Sequence, residues 1–145
     1  FGIFGKYEDW EIRFISNACC KALFDMPITL RQNRRFSYLY APDLMPVLDY
    51  FIEHEPKFKC YNVVPDEETE LLQAAQTVLD VSGKDLPIKV AHEGYGLNYS
   101  GSNARLKAEI PGLAFTPLKE AVSALYGYYQ KQKTALNPDL LRTDK

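Results

Sequence analysis

Arg34-Arg35-Phe36-Ser37-Tyr38-Leu39-Tyr40-Ala41-Pro42-Asp43 carries three signals in succession: a basic turn, an aromatic strand and a helix start. Phe36 to Tyr40 is rich in the bulky side chains that suit a pleated, half-buried surface. Pro42 supplies the fixed φ of a first helical turn, after which Leu44, Val47, Leu48, Phe51 and Ile52 recur at helical spacing as far as Glu55-Pro56. Immediately upstream, Ile28 to Leu30 is a second short strand, so Arg31-Gln32-Asn33-Arg34-Arg35 is expected to form the basic turn of a small hairpin.

Working outward, Phe14, Ile15, Ala18, Cys19, Ala22 and Leu23 predict one amphipathic helix over Glu8 to Phe24, stopped by Asp25-Met26-Pro27. Downstream, Lys59 to Val64 reads as a strand. Asp66 is placed to cap a helix that carries Leu71, Leu72, Ala75, Val78 and Leu79 and ends at Gly83. Ile88 to Ala91 is a further strand, and Glu93 to Ser102, with Gly94, Gly96 and Gly101 between tyrosines, is an ordered loop. Asn103 to Ile110 is a short helix, and Thr116-Pro117 opens a last one with Leu118, Ala121, Val122 and Leu125 facing inward. Residues 133–145 are expected to fray. No repeat or linker divides residues 1–145, so the expectation is one mixed α/β domain with helices packed on a small, incomplete sheet.

The composition is that of an ordinary globular protein, 46% hydrophobic and 25% charged. A net charge of -2 supplies no field to gather nucleic acid or an anionic membrane, and no apolar run is long enough to span a bilayer. Cys19, Cys20 and Cys60 lack the spacing of a disulfide framework, which points to a reducing cytoplasm. Two histidines and scattered cysteines make no metal site. The apolar opening Phe1-Gly2-Ile3-Phe4-Gly5 looks like a strand leaving a larger sheet, so the chain is expected to be a piece of a larger protein.

Several motifs carry chemistry in other settings. Tyr129 and Lys133 have the spacing with which a lysine lowers a tyrosine's pKa, but they stand at the end of the terminal helix and read as surface residues. Gly94-Tyr95-Gly96 begins like a dinucleotide fingerprint, yet Tyr99 fills the third glycine position and no helix opens there. Cys60 reads as an inert cysteine in a buried strand. Arg31, Arg34 and Arg35 are the strongest charge feature: guanidinium forks clamp phosphate oxygens, and a solvated turn has the same composition. His92 and Tyr95 stand at the exit of a strand into a glycine-rich loop, where a ring donor reaches a phosphate or makes a structural hydrogen bond.

The order of these segments resembles the C-terminal half of an extended short-chain dehydrogenase/reductase of the nucleotide-sugar epimerase/dehydratase kind. Phe1 to Gly5 is similar to the family's Phe-Asn-x-Tyr-Gly, and Arg34 to Asp43 to its Arg-Asp-Phe-x-Tyr-Val-x-Asp. Tyr61-Asn62-Val63 matches a Tyr-Asn-Val segment, and Leu71 to Gly83 a helix ending in Gly-Lys. Ser102 to Arg105 resembles Asp-x-Ser-Lys, and Phe115-Thr116-Pro117-Leu118 with Tyr126 the closing segment. The departures are Gly2 for an asparagine that contacts the sugar nucleotide, Phe36 for a pyrophosphate-binding arginine with Arg34 and Arg35 close by, His92 for another such arginine, and Ser102 for the aspartate.

The resemblance implies a Rossmann-type parent that uses NAD or NADP. Its glycine-rich loop and catalytic Ser or Thr, Tyr and Lys would all precede Phe1, so no catalytic or cofactor-binding residue is assigned in this chain, and none is expected to bind cofactor alone. The substrate-binding residues it implies are Arg34, Arg35, His92 and Tyr95, and the parent is a candidate homodimer. Two functions follow: the substrate-binding portion of an NAD(P)-dependent nucleotide-sugar epimerase, dehydratase or keto-sugar reductase, or a non-catalytic α/β module built on the same scaffold.

Overall fold

Three helices share one apolar core because each keeps small or branched residues on a single side. In a computed structural model that describes residues 2–142, α1 (Phe14–Leu23) buries Ile15, Ala18, Cys19, Ala22 and Leu23. Against it pack Ala75, Val78 and Leu79 of α3 (Leu71–Ser82) and Ala121, Val122 and Leu125 of α5 (Leu118–Lys131). The alanines let the helix axes approach, and the branched residues fill the grooves between them. Gly83 ends α3 in the left-handed region at φ 67°, as its sequence position predicts.

The strands are short and form three two-stranded sheets. β1 (Gly2–Phe4) runs parallel to β4 (Tyr38–Tyr40), with Gly2 opposite Tyr38 and Phe4 opposite Tyr40. β2 (Ile28–Asn33) runs parallel to β6 (Ile88–Tyr95). β3 (Arg35–Phe36) pairs antiparallel with β5 (Thr69–Glu70). The expected hairpin is therefore corrected. Ile28 to Leu30 and Phe36 to Tyr40 take different partners, and Arg31-Gln32-Asn33 continues β2 instead of turning. Among the described non-glycine residues only Tyr7 and Asp25 have positive φ, so residues 31–35 lack the backbone that a tight hairpin turn demands.

Other expectations also change. The first helix begins at Phe14, not Glu8, because the chain turns through Tyr7 at φ 69° and the Glu8 carboxylate folds back to accept from the Ser16 hydroxyl. Lys59 to Val64 makes no strand. Side chains hold the neighbouring backbone instead: Glu109 accepts from Lys57 N at 2.9 Å, Tyr61 Oη from Phe58 N at 2.9 Å, and Asn103 Nδ2 donates to the Val64 carbonyl at 3.0 Å. Cys60 is exposed rather than buried. Asp66 caps no helix, since α3 starts at Leu71, and instead takes Lys107 Nζ at 2.8 Å and Asn103 Nδ2 at 2.9 Å. α2 (Met45–Glu53) is tied to the start of α5 by Asp43, which accepts from Thr116 N at 2.9 Å and Thr116 Oγ1 at 2.6 Å. α4 (Ala104–Glu109) closes a smaller cluster of Val47, Leu106 and Leu113.

The C-terminal segment differs most. Residues 133–135 and 138–141 form 3-10 turns, and Leu141 is 1% exposed in the main core. Residues 143–145 of the expected frayed tail, and Phe1 of the opening strand, lie outside the described residues. Tyr129, read from sequence as a surface residue, is 2% exposed on the inner face of α5, while Lys133 Nζ stands 5.2 Å from the centroid of the Phe24 ring.

Burial raises the pKa of Glu8, and this outweighs the hydrogen bonds from the Ser16 hydroxyl and the Gly5 backbone that oppose it. The folded protein thus holds this proton more tightly than the unfolded chain does. The stability linked to it is complete below the ordinary carboxylate range and is lost as pH rises through the folded pKa. Glu8→Gln keeps the neutral shape at every pH. Its melting temperature should match the wild type near pH 4 and exceed it near pH 7, which paired thermal melts across that range will show. A difference independent of pH would place Glu8 in water.

Candidate functional site

Pleat alternation builds the main cleft. In β2, Ile28 and Leu30 are 1% and 5% exposed, and the pleat turns Thr29 and Arg31 to the opposite face, the one on which Lys21 of α1 meets Thr29. The parallel register then sets Lys89 beside Thr29, with Val90 beside Leu30. The resulting cleft has a volume of about 780 Å³ and is lined by Phe14 and Asn17 of α1, by Thr29, Arg31 and Gln32, by Arg34, Phe36 and Tyr38, and by Lys89. Its rim at Glu11 is shaped by Asn17, whose Nδ2 donates to the carbonyls of Glu11 at 2.9 Å and Trp10 at 3.3 Å. Below the floor, Lys21 is 4% exposed and its Nζ donates to Thr29 Oγ1 at 2.5 Å.

The aromatic wall comes from the decapeptide. Phe36 and Tyr38 stack at 5.4 Å with an interplanar angle of 28°, and Tyr99 lies against Phe36 at 5.8 Å. Burial pushes the Tyr38 hydroxyl well above the usual phenol range, reinforced by Glu8 and opposed by Arg34, so it faces the cleft as a neutral phenol. The same ring explains one departure from the resembling family. A Cβ on Gly2 would lie 2.7 Å from Tyr38 Cδ1, so the ring fills the space an asparagine would need.

The four residues expected to bind substrate are not all brought together. Arg34 lines the cleft. Arg35 instead reaches Glu70 Oε1 at 3.4 Å, and Tyr95 Oη donates to the same carboxylate at 3.1 Å. Asn33, 5% exposed, donates to Glu70 Oε2 at 3.0 Å and accepts from Leu72 N at 3.2 Å, linking this group to the start of α3. The Asn33 amide, with Tyr95 and Arg35, holds the Glu70 carboxyl below its usual range. His92 is exposed in register with Gln32 and does not line the cleft. Ser102 lies near α4, its carbonyl accepting from Asn62 Nδ2 at 3.3 Å and its hydroxyl from Ala104 N at 3.3 Å.

Lys89 and Glu70 carry roles that sequence reading missed. Lys89 becomes visible only once β6 is known to pair with β2, because that register places it beside Thr29. Glu70 follows an acidic run, Asp66-Glu67-Glu68, that reads as an ordinary helix entry. Gly94 and Tyr95 end β6, and no helix begins before α4 at Ala104, so Gly94-Tyr95-Gly96 opens no helix N-terminus that could cradle a dinucleotide. Among the described residues no group of three or more His, Cys, Asp or Glu could hold a metal ion, and no helix is long and apolar enough to cross a membrane.

No family model and no curated protein matches this sequence. Solved structures do match its fold. UDP-glucuronic acid 4-epimerase from Bacillus cereus, in complex with NAD, is 15% identical with a TM-score of 0.74 over 94% of this chain and 43% of its own. dTDP-glucose 4,6-dehydratase from Bacillus anthracis, also with NAD, is 17% identical with a TM-score of 0.79 over 94% of this chain and 45% of its own. A GDP-L-fucose synthetase from Naegleria fowleri is 18% identical with a TM-score of 0.71 over 92% and 45%. The chain thus spans less than half the length of the structures it matches. It has the fold of the C-terminal part of an extended short-chain dehydrogenase/reductase.

Proposed function

We propose that this chain is the substrate-binding portion of an NAD(P)-dependent nucleotide-sugar epimerase, dehydratase or keto-sugar reductase, and that the 780 Å³ cleft holds the nucleoside diphosphate. The observation that carries the reading is the meeting of Arg31, Arg34 and Lys89 with Phe14, Phe36 and Tyr38 in one cleft. A nucleoside diphosphate asks for those two chemistries side by side: cationic donors for the phosphate oxygens and apolar ring faces for the base. Matched structures hold UDP-glucuronic acid, UDP-glucose, NAD or NADP, which fits this class of ligand. The cofactor would supply the hydride chemistry from the remainder of the enzyme. This chain's residues bind and orient the substrate and exclude water around it.

Titration calorimetry with UDP, GDP, CDP and dTDP tests the reading directly. At least one diphosphate should bind, its monophosphate should bind more weakly, and affinity should fall with added salt as charge pairs are screened. Binding of none of the four, or equal affinity for mono- and diphosphate, would refute it.

A further inference from the structure

We propose that Gly96 is a positioning residue for the anion site: its bare backbone is the surface against which Arg34 is laid, so that Arg34 rather than Arg35 is presented to the cleft. The proposal rests on the reading of that cleft as a nucleoside-diphosphate site. A Cβ added at Gly96 would lie 3.2 Å from Arg34 Nε, 3.4 Å from Arg34 Cζ and 3.1 Å from Gln32 Oε1. The contacts to Gln32 Oε1 and Arg34 Nε are tighter than ordinary packing, so a neighbour has to yield, while that to Arg34 Cζ is at the ordinary limit. Gln32 is tethered, its Nε2 donating to the Glu93 carbonyl at 3.0 Å. The backbone of Gly96 is tethered too, its N–H donating to the Asn33 carbonyl at 2.8 Å. Arg34 makes no ion pair among the described residues and is the group that moves most readily, Gln32 Oε1 having to give only by a few tenths of an ångström.

The two glycines of Gly94-Tyr95-Gly96 are needed for different reasons. Gly94 has φ 76° and nothing within 4 Å of an added Cβ, so it serves backbone conformation. Gly96 has no positive φ, so it serves clearance alone. Tyr95 between them shares the Glu70 carboxylate with Arg35, which turns that second arginine to a protein partner. One short segment thereby supports one guanidinium in the cleft and fixes the other outside it.

Gly96→Ala tests this with two readouts. The Arg34 Nε–Hε resonance, identified by its loss in Arg34→Ala, needs no ligand: it should shift in Gly96→Ala and stay in place in Gly94→Ala. Affinity for whichever of UDP, GDP, CDP and dTDP the wild type binds best should fall about tenfold in Gly96→Ala. It should fall no further when Gly96→Ala is added to Arg34→Ala, because the two changes remove one interaction. An unmoved resonance, or effects that multiply in the double variant, would overturn the proposal. If the wild type binds none of the four nucleotides, the cleft reading fails by itself and the resonance still decides whether Gly96 places Arg34. If Gly96→Ala does not fold, relieving both neighbours of the added Cβ, by Arg34→Lys together with Gln32→Ala, should restore folding. Failure of that rescue would count against the proposal.

Discussion

Arg34→Ala should weaken nucleoside-diphosphate binding by about ten- to a hundredfold, while Arg35→Ala changes it far less. A charge-assisted hydrogen bond in a desolvated site contributes about 1.5–3 kcal/mol, and about 1.4 kcal/mol is a factor of ten in affinity. Arg34 lines the cleft and is free of ion pairs among the described residues, so its guanidinium is available to a phosphate. Arg35 is half exposed and already engaged with Glu70, so its removal costs one solvated pair and leaves Glu70 with Asn33 and Tyr95. Calorimetry on both variants at fixed pH, at low and at high salt, with thermal melts as a folding control, separates them. His92→Ala belongs in the same series and should stay near the wild type, since that side chain does not line the cleft. Equal losses for Arg34→Ala and Arg35→Ala would mean that Glu70 releases Arg35 when ligand arrives.

What sequence revealed and what it hid divides along local and non-local lines. The inward faces of α1, α3 and α5 and the left-handed stop at Gly83 depend on spacing within one element, and they are found where spacing puts them except at Leu72, which is exposed. Strand partners depend on residues far apart in the chain. Ile28 to Leu30 reads as half of a hairpin until its pairing with Ile88 to Val90 is known. The cleft inherits that difficulty. Its basic segment and aromatic wall are contiguous in sequence and legible there, whereas Lys89 joins them through a parallel register that no local pattern announces. Arg34 and Arg35 are chemically identical neighbours, and only the position of Glu70 on another strand distinguishes them.

The end of the chain offers the largest stability effect that sequence alone would have put near zero. Leu141→Ala should destabilise the fold by about 2–3 kcal/mol, toward the lower end for a buried leucine. Leu141 is 1% exposed and belongs to the same core cluster as Ile15, Val122 and Leu125, and the turn that carries it packs against α1. Truncation removes the transfer free energy of the side chain and leaves a cavity beside that helix. The lower end applies because a terminal turn can undock, which limits the cost to what its docking contributed. The turn itself is set by Pro138 at its start and by Asn137 Oδ1, which accepts from Asp139 N at 3.0 Å. By contrast, Asp139 and Arg142 pair at 3.0 Å with both side chains largely exposed, so replacing either should change stability by less than about 0.5 kcal/mol. Urea unfolding of the three variants measures the contrast, with an unchanged m-value showing that only stability has moved. A Leu141→Ala variant as stable as the wild type would show that the segment frays in solution, as its polar composition alone implies.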